Sequence, residues 1–328
     1  MLAAGPNGAG KTNLLESLHV GTQGFSPRTR QDANLVRFGA GGFDVRAIGR
    51  SQGRELTLEV GYRVGGGKHA KVDGAAAESL ERVRSVTATL VFTPDRLAVV
   101  KAGPAVRRAY VDRVIGRLFP ARASLAAEFS AALDQRNAAL RRARAGLGGT
   151  DTVEPWDERV VETGHALADA RATAIAALGA PFAACAADLG LDTAGLAYDP
   201  SAITPEALAA RFSTDLERGL TGIGPHHDEI RITAGDRELR SHGSQGEQRV
   251  AVLSLLLAEA ELLAERSGAT PLLLLDDVLS ELDGERRSAL VARIRAAAQV
   301  LVTTAARGAL PGDPDLLLEV SPGRVQVA

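Results

Sequence analysis

The chain has 328 residues, 45% of them hydrophobic and 24% charged, with a formal net charge of -2. That length allows one large domain or two modest ones, and the near-neutral charge excludes a strongly basic DNA-coating protein, so nucleic-acid contact would have to come from local Arg and Lys patches. The single cysteine, Cys185, can form no intrachain disulfide; it suits a reducing compartment and reads as a buried structural thiol in an Ala-rich run.

In chain order, a Gly-rich turn comes first, and the pattern after it predicts a helix over 11–20. Nothing at the N-terminus has the charged region and apolar core of a signal peptide. No stretch approaches the ~20 uninterrupted apolar residues of a spanning helix, so the default location is the cytosol. Residues 35–72 alternate between glycine punctuations, with a period-two strand over 55–64 turned by Gly65-Gly66-Gly67. Another strand is expected over 85–92, ended by Pro94.

From 104 to 218 the chain is rich in Ala, Leu, Arg and Glu. Tyr110, Val114 and Leu118, then Leu125, Phe129 and Leu133, recur at helical spacing. Further helices are expected over 155–178 and 205–219, so the block reads as an all-helical insertion. After Gly222, strands over 229–233 and 239–240 flank the turn Ala234-Gly235-Asp236. A long helix over 246–266 follows. The apolar run from Leu272 to Leu275 suits a buried parallel strand. A helix over 284–298 and a strand over 300–303 complete a βαβ unit. The segments at the two chain ends are expected to form one domain: 1–100 and 222–328, with 101–221 as the inserted helical arm.

Two motifs carry chemistry. Gly5-Pro6-Asn7-Gly8-Ala9-Gly10-Lys11-Thr12 matches the Walker A pattern. Glycines let backbone N–H groups turn inward into an anion nest, and the following helix adds its N-terminal N–H groups. In such a loop Lys11 reaches the β- and γ-phosphates of ATP and the Thr12 hydroxyl ligates Mg²⁺. Downstream, the leucine run delivers Asp276 and Asp277. Adjacent strand residues point to opposite sides, so the two acids take different jobs: Asp276 holds Mg²⁺, and Asp277 orients or deprotonates the attacking water.

Ser244-Gln245-Gly246-Glu247 opens the long helix. Ser244 and Glu247 fit a capping box, in which each side chain satisfies an orphan N–H of the first turn. The same serine, glycine and helix N-terminus also make a second phosphate-binding end. This segment resembles the signature motif of ABC-type ATPases, with Gln245 in place of the first glycine. Ser280-Glu281-Leu282-Asp283 resembles their D-loop. In those ATPases both segments cross a dimer interface to the nucleotide of the other subunit.

Further strings narrow the resemblance: Gly10-Lys11-Thr12-Asn13-Leu14-Leu15-Glu16, Phe92-Thr93-Pro94-Asp95, Gly103-Pro104-Ala105-Val106-Arg107-Arg108, Gln135-Arg136-Asn137, Gly224-Pro225-His226 and Leu274 through Asp283. Together they resemble the RecF family across nearly the whole chain. Transporter ATPases place signature and Walker A closer together, and SMC proteins insert long coiled coils.

The resemblance implies an α/β P-loop ABC-type head with a mixed sheet and an inserted all-helical arm. It implies a weak, slow ATPase with ATP and Mg²⁺ as cofactors. Lys11 and Asp277 would be the catalytic residues, with Thr12 and Asp276 on the metal. Gly5, Asn7, Gly8, Gly10, Lys11, Thr12, Asn13, Ser244, Gly246, Glu247 and Asp283 would be the nucleotide-binding set. It also implies an ATP-dependent homodimer on gapped DNA without sequence specificity, partners RecR and RecO, RecA loading, roles in replication and the SOS response, and no membrane partner.

The chain departs from the family in two places, and from transporter ATPases, as RecF-like proteins generally do, in a third. Only Leu2-Ala3-Ala4 precede Gly5, so the chain reads as truncated or as having its start wrongly placed; a truncation would remove the first strands, including a central one, and with them contacts to the adenine ring. His227 stands where the family usually has Arg, and Thr303-Thr304-Ala305 lacks the switch histidine of transporter ATPases. His226-His227-Asp228, without matching Cys or His elsewhere, reads as a turn or nucleotide-sensing position rather than a metal site.

Arg107, Arg108, Arg113, Arg117, Arg136, Arg141, Arg142 and Arg144 are candidates for DNA phosphates, or for a solvated helix face balanced by nearby acids. The rival functions are the ATPase subunit of a membrane transporter and a non-catalytic truncated head.

Overall fold

The computed structural model describes residues Met1 to Ala328 except Gln52, Glu281 and Ala298. The chain divides into two compact units.

The first unit comprises Met1–Arg96, Asp188–Gly190 and Leu256–Ala328. Its main sheet has the strand order Arg324–Val327, Leu317–Ser321, Leu2–Ala4, Gln299–Thr304, Leu272–Leu275, Thr89–Phe92. All neighbours pair in parallel except the outermost hairpin, Leu317–Ser321 with Arg324–Val327. The central strands are mostly apolar because helices and loops cover both faces: Ala3, Leu274 and Leu301 are at most 1% exposed and pack with Leu15 of the helix Lys11–Gln23. The strand expected to be missing ahead of the glycine loop is present. Leu2–Ala4 lies at the sheet centre, parallel to a neighbour on each side; three residues suffice because each edge is hydrogen-bonded. A second, antiparallel sheet of Gly42–Ser51, Arg54–Arg63, Gly67–Val72 and Ala75–Ala76 packs Leu58 and Val60 against Val20. The strand expected over 85–92 is shorter, Thr89–Phe92, because Leu80–Arg84 is helical and Ser85 closes that helix through its N–H to the Glu81 carbonyl.

The second unit comprises Leu97–Ala187 and Leu191–Leu255. It holds the helices Pro104–Leu118, Leu125–Arg144, Glu154–Asp188 and Pro205–Arg218. It also holds a strand that helical periodicity concealed, Ala194–Asp199, in a three-stranded antiparallel sheet with Glu229–Ala234 and Arg237–Glu238. That pairing corrects the expected boundary at 221: residues 222–255 cluster with the arm rather than with the head. Side chains reinforce it. Arg107 donates to Glu229 at 2.6 Å, and Tyr110 donates to the Leu255 carbonyl at 3.4 Å.

The helix Glu154–Asp188 runs through Pro181, where the sequence pattern predicts a stop at 178. An internal proline removes one ladder bond, but the flanking alanines are the strongest helix formers, and Phe182, Cys185 and Ala186 are fully buried beyond it. Over Thr150–Asp188 this segment is long enough, with a window of mean hydropathy 1.4, to meet the length and composition of a membrane span. Its apolar face is covered instead by its own unit: Val160 and Leu167 pack with Phe129, Ile203 and Leu208.

Arg107, Arg136 and Arg171, together with Arg249, are sunk into this unit. Arg136 (0% exposed) donates to Asp157 at 2.6 Å, to Asp215 at 3.0 Å and to Thr221 at 2.8 Å. Arg107 is 2% exposed. Arg171 is clamped between both oxygens of Asp112 and Asp228 Oδ2. Burial opposes the Arg171 charge, yet the two carboxylates outweigh it and hold its pKa above the ordinary value. Asp228, fully buried, also accepts from the Tyr198 hydroxyl at 2.6 Å and the Ser201 N–H at 2.7 Å. Burial, then the Asp228 carboxylate, pushes the Tyr198 phenol up, so it remains a donor.

Removing one member of such a cluster strands the others without solvent. Asp228→Ala is expected to lower stability by about 3–5 kcal/mol. Urea unfolding checks this; a loss below about 1 kcal/mol, the size typical of an exposed pair, would show that the cluster is not what holds this unit.

Candidate functional site: a glycine loop facing an acid pair

Parallel pairing puts the C-terminal ends of the central strands along one sheet edge, where ligands of open α/β sheets bind. Ala4 lies opposite Thr304 and Leu275 opposite Val302, so the glycine loop, Thr303 and Asp276 emerge side by side. Gly5 lies against the neighbouring strand: a Cβ there would sit 2.2 Å from the Val320 carbonyl oxygen, which only glycine avoids. Gly10 has φ 104 and directly precedes the helix Lys11–Gln23, a backbone that side chains rarely adopt. Asn7 and Gly8 are exposed on the loop, and Asn13 is exposed on the first helical turn.

Lys11 is 9% exposed and curls back over the loop, donating to the Gly5 carbonyl at 2.8 Å and the Pro6 carbonyl at 3.0 Å. The Thr12 hydroxyl lies 3.1 Å and 3.0 Å from the two Asp276 oxygens. A hydroxyl and a carboxylate, one from each motif, therefore meet at one point as a hard-oxygen pair suited to Mg²⁺. Asp276 also accepts the Thr303 hydroxyl at 2.6 Å, and Thr303 accepts the Asp277 N–H at 3.0 Å. Asp277 has a left-handed backbone, φ 48, and its Oδ1 is buried without a hydrogen-bond partner. The two acids thus have different surroundings: one is fully engaged, the other keeps an acceptor free. Thr303 drew notice in the sequence only as a place lacking histidine. Its signal was a hydroxyl at the end of the strand beside the acidic one.

Asp283 accepts the Arg286 N–H at 2.9 Å and so caps the helix Gly284–Ala297. Glu281, from the same D-loop-like string, lies outside the described residues, as does Ala298.

Ser244, Gly246 and Glu247 belong to the second unit. The capping box is formed: the Ser244 N–H donates to Glu247 Oε2 at 2.7 Å and the Glu247 N–H donates to Ser244 Oγ at 3.2 Å. Arg237 donates to Glu247 Oε1 at 3.0 Å. The Ser244 N–H, then Arg237, holds the Glu247 carboxyl below its ordinary value of 4.5. His226 sits in the short turn Pro225–His227, its Nε2 2.9 Å from the Thr221 carbonyl, and burial lowers its pKa.

Of the eight arginines proposed for DNA, Arg107 and Arg136 are buried in ion pairs and cannot reach a duplex. Arg108 is half-buried and donates to the Asp228 carbonyl at 2.7 Å. Arg113, Arg141, Arg142 and Arg144 are exposed and Arg117 is partly so.

Residues 2–322 match the family described as RecF/RecN/SMC N terminal domain. The chain is 38% identical to the DNA replication and repair protein RecF of Myxococcus xanthus, over 99% of this chain and 90% of that protein. The chain belongs to the RecF family. RecF of Moorella thermoacetica is 36% identical over 94% of this chain and 84% of its own length. Among solved structures, the recombination mediator RecF with ATP, in the RecFOR pathway, superposes with a TM-score of 0.85 at 28% identity, covering 100% of this chain and 91% of that one. An Smc head bound to the C-winged helix domain of ScpA matches at TM-score 0.57 and 16% identity, a likeness of fold alone.

The Glu247 carboxylate gives a pH test. Its folded pKa is depressed, so its stabilisation is complete above the ordinary value and is lost as pH falls through the folded one. The melting-temperature gap between wild type and Glu247→Ala is expected to be widest near neutral pH and to shrink below about pH 4.5. A gap as wide at pH 3 as at pH 7 would contradict a charged cap.

Proposed function

We propose that this RecF-family chain is an ATP-dependent DNA repair and replication protein of the cytoplasm, a slow ATPase that closes as a dimer on gapped DNA. The observation that carries the reading is the meeting of Thr12 and Asp276, at 3.0 Å, beside a glycine loop at the sheet edge. The likeness to an ATP-bound RecF supports it.

Bound MgATP would supply the triphosphate and a Lewis acid that polarises its terminal oxygens. Thr12 and Asp276 would hold the cation. The backbone N–H groups from Gly5, Asn7, Gly8 and Gly10 through Asn13 line the phosphates. Lys11 exchanges its two carbonyl partners for phosphate oxygens. Asp277, with an acceptor oxygen unengaged, takes the proton of the attacking water. Ser244, Gly246, Glu247 and Asp283 of a second copy complete the nucleotide site, so binding drives dimerisation and hydrolysis releases it. Turnover is slow because opening and closing gate the chemistry. Family membership supports RecO and RecR as partners, RecA loading as outcome and a part in the SOS response.

Lys11→Ala is expected to abolish ATP binding. Asp277→Asn is expected to bind ATP, hydrolyse none and accumulate dimer in light scattering. A monomeric Asp277→Asn at saturating ATP would sink the composite site.

The exposed Arg141 and Arg142 end the helix Leu125–Arg144 and are the proposed partners of DNA phosphates. Removing one cation that neutralises a phosphate reduces the salt slope of binding by about 0.9, so Arg141→Gln with Arg142→Gln should flatten it by about 2. An unchanged slope would place DNA elsewhere.

A further inference from the structure

We infer that Thr303 is a positioning residue that locks the two acids of the site into one unit and aims Asp276 at the cation. The inference rests on the MgATP reading of that site.

The hydrogen-bond directions are determined. A threonine hydroxyl has one proton and two lone pairs. The Asp277 backbone N–H can only donate, and it donates to Thr303 Oγ1 at 3.0 Å. The one hydroxyl proton therefore goes to the Asp276 carboxylate, at Oδ1, 2.6 Å away. Asp276 Oδ2 makes its hydrogen bond, among the described residues, to Thr12 alone. Thr12 lies 3.1 Å from that same Oδ1 and 3.0 Å from Oδ2, so Thr303 anchors one carboxylate oxygen and fixes the orientation in which the carboxylate faces Thr12, where the cation would be held.

The strut is stiff. Thr303 is 0% exposed, so no bulk water can substitute for its hydroxyl. It lies on the strand Gln299–Thr304, paired in parallel with Leu2–Ala4, and its β-branched side chain has few rotamers. The same oxygen anchors the N–H of Asp277, the residue held at φ 48. A shift of either acid therefore moves the other: the group that holds metal and the group proposed to take the proton are coupled through one atom.

The test uses the full chain with Thr303→Val, which keeps the branched shape without the hydroxyl, and Thr303→Ser, which keeps the hydroxyl. Mn²⁺ affinity in the presence of AMP-PNP is read by electron paramagnetic resonance. Nucleotide binding in EDTA is read by fluorescence of a labelled ATP. The Val variant should bind Mn²⁺ about 10–100-fold more weakly, the usual effect of losing an outer-shell partner, with nucleotide binding in EDTA unchanged. The Ser variant should recover wild-type Mn²⁺ affinity. A Val variant that binds Mn²⁺ like wild type overturns the inference, as does a folded Ser variant as weak as Val. If the Val variant does not fold, the Ser variant decides on the same terms. A wild-type chain that binds no nucleotide sinks the MgATP reading itself, whereas intact wild-type binding beside an unaffected Val variant sinks the role of Thr303 alone.

Discussion

The parallel register of three short strands is the constraint on which the site depends. Leu2–Ala4 and Leu272–Leu275 are far apart in sequence, yet both pair with Gln299–Thr304, and Val302 faces Leu2 on one side and Leu275 on the other. That alignment brings the glycine loop and Asp276 to the same height. A one-residue slip of either strand would exchange the side chains between the two covered faces and send the acid to the wrong one. The apolar burial that specifies the register therefore also specifies where Thr12 and Asp276 meet. Hydrophobic packing sets the site's geometry, and the polar groups then use it.

In the second unit, buried charge is set beside the apolar core. Arg107, Arg136 and Arg171 are large cations where apolar residues are the rule. Each has carboxylate partners within 3.0 Å. Buried pairs add little net stability over apolar substitutes, but they are intolerant of rearrangement, because every alternative packing strands a charge. Here they join segments far apart in sequence: Arg136 to Asp215 and Arg171 to Asp228. The network suits an arm that must keep one shape while built from helices with few aromatic side chains.

The glycine loop, the helix after it, the leucine strand and its two acids were legible because each is a local pattern with a local physical cause. The capping box was legible for the same reason. The strand Ala194–Asp199 was not: it is short, lies among Ala-rich helices and becomes a strand only because Glu229–Ala234 pairs with it. The helix through Pro181 was not legible either, because burial of Phe182 and Cys185 outweighs one missing hydrogen bond. Arg107 and Arg136 looked like DNA ligands because an arginine in a helix carries no sign of whether its carboxylates lie across the fold. Thr303 was invisible as a site residue because its partners, Asp276 and Asp277, are 27 and 26 positions away.

Ser244 raises the question whether one hydroxyl can both cap a helix and bind a phosphate. In the observed cap, Ser244 Oγ accepts the Glu247 N–H. That uses one lone pair and leaves the hydroxyl proton available. A phosphate oxygen needs a donor, not an acceptor, so the two roles draw on different capacities of the same atom. Glu247, meanwhile, is tied by the Ser244 N–H and by Arg237, which keeps its negative charge on the flank of the helix end. The cap thus engages the Ser244 and Glu247 N–H groups and leaves the serine proton, which the proposed phosphate contact would use. Stability and binding need not compete at this helix start, and a sequence pattern that fits both readings fits them for one physical reason.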